Sequence, residues 1–286
     1  MDIGDIVVRK SYNKDVTFKI IDIKENNGSE NIILKGINIR IIADASVDDL
    51  ELADEDGGSQ DRILNTRVNE AIKKAMVLRG DFRDRADKSP KIKAKNELMF
   101  GRPGKILHVD GDSEYMETCL KVYKQLSLDA VGRAIPEREQ PEVIVDLVKE
   151  IKPDIVVLTG HDSVLKEPKD YLSLDNYRNS RYYLESVKNL RNYNSSYDEL
   201  VIFAGACQSC YERILDVGAN FASSPNRVLI HCLDPVFVCE KIAYTRIDKI
   251  VSITDVIENT ITGIKGVGGL QTRGKYREGY PKSLYI

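Results

Sequence analysis

Three short apolar runs constrain the second half of this chain more than any other feature: Ile106-Leu107-His108-Val109-Asp110, Asp154-Ile155-Val156-Val157-Leu158-Thr159-Gly160 and Leu200-Val201-Ile202-Phe203-Ala204-Gly205. Each is nearly continuous rather than alternating, and helix-length windows such as Tyr115–Leu126 and Pro141–Ile151 lie between them. A strand that is apolar on both sides has to be covered on both sides, and strands joined through helices run parallel. The pattern predicts an α/β domain over residues 101–286, a parallel-rich sheet flanked by helices, with a further strand over Arg227–His231.

Residues 1–55 read differently. Ile3–Arg9, Val16–Ile23 and Asn31–Ala43 are short and rich in β-branched residues, and Asn26-Asn27-Gly28 is a hairpin turn signal because Asn and Gly tolerate positive φ. This predicts a small all-β module of the SH3-like barrel kind, either an interaction and docking unit or a structural cap or regulatory pro-segment. Residues 56–100 are charged, as in Asp81-Phe82-Arg83-Asp84-Arg85-Ala86-Asp87-Lys88, and predict a linker carrying surface helices, one of them over Asn69–Leu78. Arg83 and Arg85 are accessible protease sites on this reading.

Composition excludes several classes of function. Lys and Arg number 42 against 45 Asp and Glu, a net charge of −3, so no basic footprint for nucleic acid is expected. The start of the chain is not a signal peptide, and no apolar run is long enough for a membrane span. Five Cys is an odd count, which cannot close a complete set of disulfides within the chain and predicts free thiols in a reducing compartment.

Functional groups in parallel sheets collect beyond the carboxyl ends of the strands. One run here continues into Thr159-Gly160-His161-Asp162 and another into Ala204-Gly205-Ala206-Cys207-Gln208-Ser209. Neighbouring strands lie about 4.8 Å apart, which brings an imidazole and a thiol at equivalent positions close enough for the base to take the thiol proton. Gly160, Gly205 and Ala206 permit the turns. A helix starting near Gln208 would aim amides at the sulfur, lowering its pKa and helping an oxyanion. A rival arrangement, Cys207-x-x-Cys210 with His231-Cys232, has zinc or redox spacing, but its first thiol follows an apolar strand rather than a polar knuckle. No metal and no organic cofactor are expected. His108 and His231 also close apolar runs, and Gly266-Val267-Gly268-Gly269 reads as a surface loop, without the Lys-Ser/Thr of a phosphate loop.

Two hydrophobic blocks, the first ending at a His and the second at Ala-Cys, resemble the signature of the caspase-like cysteine peptidases that include gingipains, legumains and separases. The spacing, 207 − 161 = 46 residues, is near the roughly 50 of caspases; Asp162 stands where that clan usually has Gly. Over nearly the whole chain, IGDIVVRKSY, HVDGD (108–112), TGHD (159–162), VIFAGACQS (201–209), GANFASSP (218–225) and GLQTRG (269–274) resemble the YabG family of sporulation-specific peptidases. That resemblance implies a caspase-like fold and a cysteine endopeptidase of the mother cell. It further implies cleavage of spore coat and cortex-associated proteins after Arg, with self-cleavage. The nucleophile falls on Cys207 and the base on His161, with backbone amides at Gly160, His161 and Cys207 as oxyanion donors. A substrate Arg needs a carboxylate, for which Asp162 and Asp112, then Asp110 and Asp234, are the expected residues; Ser223 and Ser224 are expected to line the cleft. Two alternatives are a cysteine hydrolase or amidotransferase-like enzyme using His231, and a non-enzymatic spore-structural protein.

Overall fold

The computed structural model describes residues 1–26, 29–53, 59–84, 99–165 and 168–283. The N-terminal module is a five-stranded antiparallel sheet of β1 (Ile6–Arg9), β2 (Thr17–Asn26), β3 (Ser29–Gly36), β4 (Ile42–Ser46) and β5 (Leu50–Leu52), in the order β4-β3-β2-β1-β5. Alternate residues Phe18, Ile20, Ile32 and Leu34 turn inward on Val7, Val16 and Leu50, as a period of two requires. Asn27 and Gly28 of the expected hairpin turn lie outside the described residues.

Helix α1 (Ser59–Asp84) follows, and here the structure corrects the expectation of a surface helix. Leu64, Val68, Ala71, Ile72 and Ala75 recur at spacings of three and four, forming one stripe, and that stripe packs on the core of the α/β domain. Leu64 also touches the core of the β module. The charged residues between these positions hid the stripe. The side chain of Arg83 and all of Arg85 lie outside the described residues.

The second sheet has six strands in the order β12-β11-β10-β9-β7-β8, from β7 (Ile106–Asp110), β8 (Ala130–Ala134), β9 (Ile155–Thr159), β10 (Val201–Ala204), β11 (Phe221–Ser223) and β12 (Val267–Gly269). All neighbours are parallel except β12, which runs antiparallel to β11. A two-stranded ribbon pairs β6 (Phe100–Arg102) with β13 (Arg277–Gly279). Both faces of the large sheet are covered, as continuous apolar strands demand. Ile106, Ile155, Val157 and Phe203 meet α2 (Ser113–Gln125), α6 (Asp234–Tyr244) and α7 (Ile253–Asn259) on one side. Leu107, Val109, Val156, Leu158 and Ile202 meet α3 (Gln140–Ile151) and α4 (Ser180–Tyr193) on the other.

Three local expectations are corrected. Arg227–His231 is not a strand; it runs as a loop with one bridge, His231 to Ile39 of the β module. Gly266–Gly269 is not a surface loop, because Val267–Gly269 is the edge strand β12. A Cβ on Gly268 would lie 2.4 Å from the Tyr211 hydroxyl, so only glycine lets this strand approach so closely. The helix after Cys207, α5 (Tyr211–Asp216), begins three residues later than expected, since Gln208 takes a left-handed φ of 57° that no helix continues through. Among the described residues no helix is long and apolar enough to cross a membrane.

Candidate active site

Strands β9 and β10 are parallel neighbours with Ala204 opposite Leu158. The offset, 204 − 158 = 46, is the same as that between Cys207 and His161, so each residue stands three positions past the last paired residues of its strand, beyond the carboxyl edge of the sheet. Gly160 and Gly205, at φ of 155° and 110°, make the two turns. A Cβ on Gly160 would sit 2.2 Å from Glu137 Oε1, which accepts the His161 backbone N–H at 2.6 Å. That bond occupies one of the expected oxyanion amides, a correction to the sequence reading. Glu137 itself was not foreseen; it opens the 3-10 turn Glu137–Glu139 that leads into α3 and carries no sequence signal.

His161 Nε2 lies 3.0 Å from Asp112 Oδ2. Asp112 caps α2, its Oδ1 accepting from the Glu114 and Tyr115 amides at 3.0 and 3.3 Å, and the same oxygen accepts from Lys35 Nζ at 2.7 Å. Burial opposes the charge on this carboxylate, yet the bonds from His161 and Lys35 bring it down to about 2. An ionised Asp112 fixes the proton of neutral His161 on Nε2 and leaves the Nδ1 lone pair free. The imidazole is steadied further by the Tyr115 ring, 5.7 Å away, and its carbonyl accepts from Asn179 Nδ2 at 2.8 Å.

Cys207 is buried, and its Sγ accepts the Ile230 N–H at 3.2 Å. Burial pushes its thiol up to about 12, against a partial offset from the Ile230 backbone. The expected lowering of this pKa is therefore overturned: the helix that was to aim its positive end at the sulfur does not start there. All five cysteines are free and buried. Among the described residues no group of three or more His, Cys, Asp and Glu is arranged to hold a metal, and Cys210 Sγ instead meets the Tyr171 carbonyl.

The carboxylates expected to receive a substrate Arg all have partners inside the protein. Asp162 accepts from Ser163 N, Asn179 N, Ser180 Oγ and Ser209 Oγ, and Ser209 Oγ accepts the Ala206 N–H. It thus ties the His161 turn to the Cys207 turn, buried and with both oxygens taken by bonds inside the protein. Asp234 accepts from the amides of His231, Ile261 and Thr262 and from the Thr262 hydroxyl. Asp110 is wholly buried on Arg40 at 2.5 Å. Ser224 Oγ donates to Val228 O, and Ser223 is buried beside Gly205.

The other two histidines are held elsewhere. His108 lies in the middle of β7, not at its end, between the Tyr123 and Thr159 hydroxyls. His231 accepts the Leu233 N–H on Nδ1, which puts its proton on a buried Nε2 with no partner among the described residues, and burial brings its pKa down to about 4. Lys35 and Arg40, both from the β module, belong to this site and could not be inferred from sequence. They reach it across 77 and 70 residues, to Asp112 and Asp110.

Comparison with known sequences agrees with the resemblance in the motifs. Residues 2–281 match the family described as YabG peptidase U57. The sequence is 40% identical over 284 residues to the sporulation-specific protease YabG of Bacillus subtilis (strain 168), covering 98% of this chain and 97% of that one.

Proposed function

The chain belongs to the YabG peptidase family, and from that premise we propose that it is a cysteine endopeptidase in which His161 is the base and Cys207 the nucleophile. The observation that supports this reading is the register of β9 and β10, in which each of these two residues follows the paired strand ends Leu158 and Ala204 by three positions. His161 Nδ1 takes the Sγ proton, and the sulfur attacks the scissile carbonyl carbon, forming a C–S bond. The Cys207 amide is proposed as an oxyanion donor. The imidazolium then protonates the amine as the C–N bond breaks. Water, losing a proton to His161, hydrolyses the thioester and returns the thiol. Asp112 acts by holding the tautomer that makes both proton transfers possible. No step calls for a metal or an organic cofactor.

The relative is named a sporulation-specific protease. We extend to this chain a role in sporulation, and from the family resemblance we propose cleavage after Arg, substrates among spore coat and cortex proteins, self-processing and action in the mother cell. The deciding experiment incubates the purified chain beside Cys207→Ala and His161→Ala with an Arg-containing protein substrate, then reads the new termini by mass spectrometry. Fragments ending in Arg from wild type alone are expected. Continued cleavage by a folded Cys207→Ala protein would overturn the cysteine mechanism.

A further inference from the structure

We propose that the N-terminal β module is a working part of the catalytic centre, with Lys35 a positioning residue that holds Asp112 against His161. The proposal rests on the assignment of His161 and Cys207 above. Asp112 has two oxygens with separate duties. Oδ2 faces His161, while Oδ1 collects Lys35 Nζ together with the two α2 amides. Three donors on one oxygen fix the plane of the carboxylate, and that plane aims the other oxygen at the imidazole. The amides belong to α2, but the cation is delivered by β3 of the module. Its ammonium is shared with Glu114 Oε2 at 2.7 Å and lies 4.8 Å above the Tyr115 ring. Lys19, opposite Lys35 on β2, takes the remaining Glu114 oxygen at 2.8 Å.

A second cation of the module supports the same turn from below. Arg40 is wholly buried, pairs with Asp110 Oδ2, and its guanidinium lies 4.9 Å from the centre of the Tyr115 ring. Asp110 Oδ1 in turn accepts the Asp112 N–H at 2.9 Å. The Tyr115 hydroxyl lies 2.5 Å from Gly36 O and 2.9 Å from Ile39 O, so its proton is held by the chain between β3 and β4. That stretch also reaches the thiol side. Asn38 O accepts the Cys232 N–H, and the Arg40 N–H points at Ile230 O, the residue whose own N–H is on Cys207 Sγ. A module serving only as a cap would present apolar surface. Among the described residues its two buried cations instead both converge on the Asp110–Asp112 turn.

Among the described residues the charged and titratable groups around the His161–Asp112 pair include Lys35 and Lys19 from the module, Glu114 and Tyr115 from α2, the Asp110–Arg40 pair, Glu137 on the His161 amide, Asp162 beside it, Tyr183 toward its carbonyl, and the Cys207 thiol. Lys35 is the cation among them bonded to Asp112. A neighbouring cation keeps a carboxylate ionised and disfavours a charged imidazole. Neutralising it raises the pKa of Asp112, which Lys35 helps hold down, so the ionised carboxylate that orients His161 appears at higher pH.

The test compares full-length wild type, Lys35→Met, Lys35→Gln, Lys35→Arg and Cys207→Ala, reading kcat/KM for an Arg-containing fluorogenic peptide against pH and confirming folding by circular dichroism. Lys35→Met should lose about 10- to 100-fold in kcat/KM, up to the scale of a roughly 1 Å misplacement of reacting groups. The loss should fall on kcat, and the acid limb should move to higher pH. Lys35→Arg should keep the wild-type limb. Lys35→Gln, which keeps a polar donor on a shorter stem but not the charge, should move the limb as Met does, and it serves where Met disturbs folding. A folded Met or Gln variant with the wild-type rate and limb overturns the proposal. Turnover by Cys207→Ala equal to wild type would instead overturn the cysteine mechanism, so the two failures are distinct.

Discussion

Asp112 Oδ2 lies 3.0 Å from His161 Nε2 while Oδ1 of the same side chain caps helix α2, so the two oxygens of one carboxylate have separate partners, and the proposed mechanism gives them separate duties. Asp112→Asn separates the two. Asn is as good an N-cap as Asp, but its amide turned toward His161 would donate where an acceptor is needed and favour the wrong tautomer. The cap should survive and stability should fall only by what the ionised carboxylate contributes, whereas kcat should fall about 10²- to 10⁴-fold. A wild-type kcat in Asp112→Asn would rule out the orienting role.

The same carboxylate predicts an acid-dependent stability. Asp112 is held down to about 2 in the folded protein, below the ordinary carboxylate range. A depressed folded pKa adds stability that is full above the unfolded value near 4 and is lost as pH falls through about 2. Urea midpoints at pH 5 and pH 2.5 should differ more for wild type than for Asp112→Asn.

In the resting protein Cys207 should behave as a buried thiol. With its pKa pushed up to about 12, alkylation by iodoacetamide at pH 8 should run at least about tenfold slower than for an exposed cysteine and should still be rising at pH 10. Peptide mapping of the labelled protein distinguishes Cys207 from the other four. A plateau below pH 7 would show a thiolate already formed.

Asp162 should prove structural. Its carboxylate accepts four hydrogen bonds in a buried place, and Asp162→Ala leaves those donors without an acceptor. At about 1–3 kcal/mol for each stranded group, less what relaxation and water recover, a loss of roughly 3 kcal/mol or more is expected, measured by chemical denaturation. A variant as stable as wild type would remove this residue from the framework joining the two turns.

The two remaining histidine readings separate by substitution. His161→Ala should abolish peptide cleavage. His231→Ala, which removes a neutral ring accepting the Leu233 amide, should cost about 1–3 kcal/mol of stability and leave measurable turnover at low temperature. The opposite pattern would favour the hydrolase arrangement based on His231.

Much of this was legible in the residues because it depends on short-range pattern. The runs ending at Asp110, Thr159 and Ala204 could only be strands covered on both faces, and helices joining them fixed their parallel direction. Equal settings past β9 and β10 then singled out His161 and Cys207. Reading failed where a residue's partner is remote. Asp110, Asp162 and Asp234 read as free acceptors for a substrate cation, yet each has its oxygens taken by groups that only folding brings near. The charged stretch around α1 concealed a five-residue stripe that needs a core to give it meaning.

The sequence by itself determined the α/β sheet, the edge at which its functional groups gather and the identity of the two residues to inspect, because periodicity, turn chemistry and spacing are local properties of a chain. Tertiary structure alone decided which nitrogen of His161 meets a carboxylate, why the Cys207 thiol is protonated, and that a lysine and an arginine from the first forty residues complete the turn supporting them. Those are matters of burial and of contacts across some seventy residues, and they exist only once the two sheets are packed together.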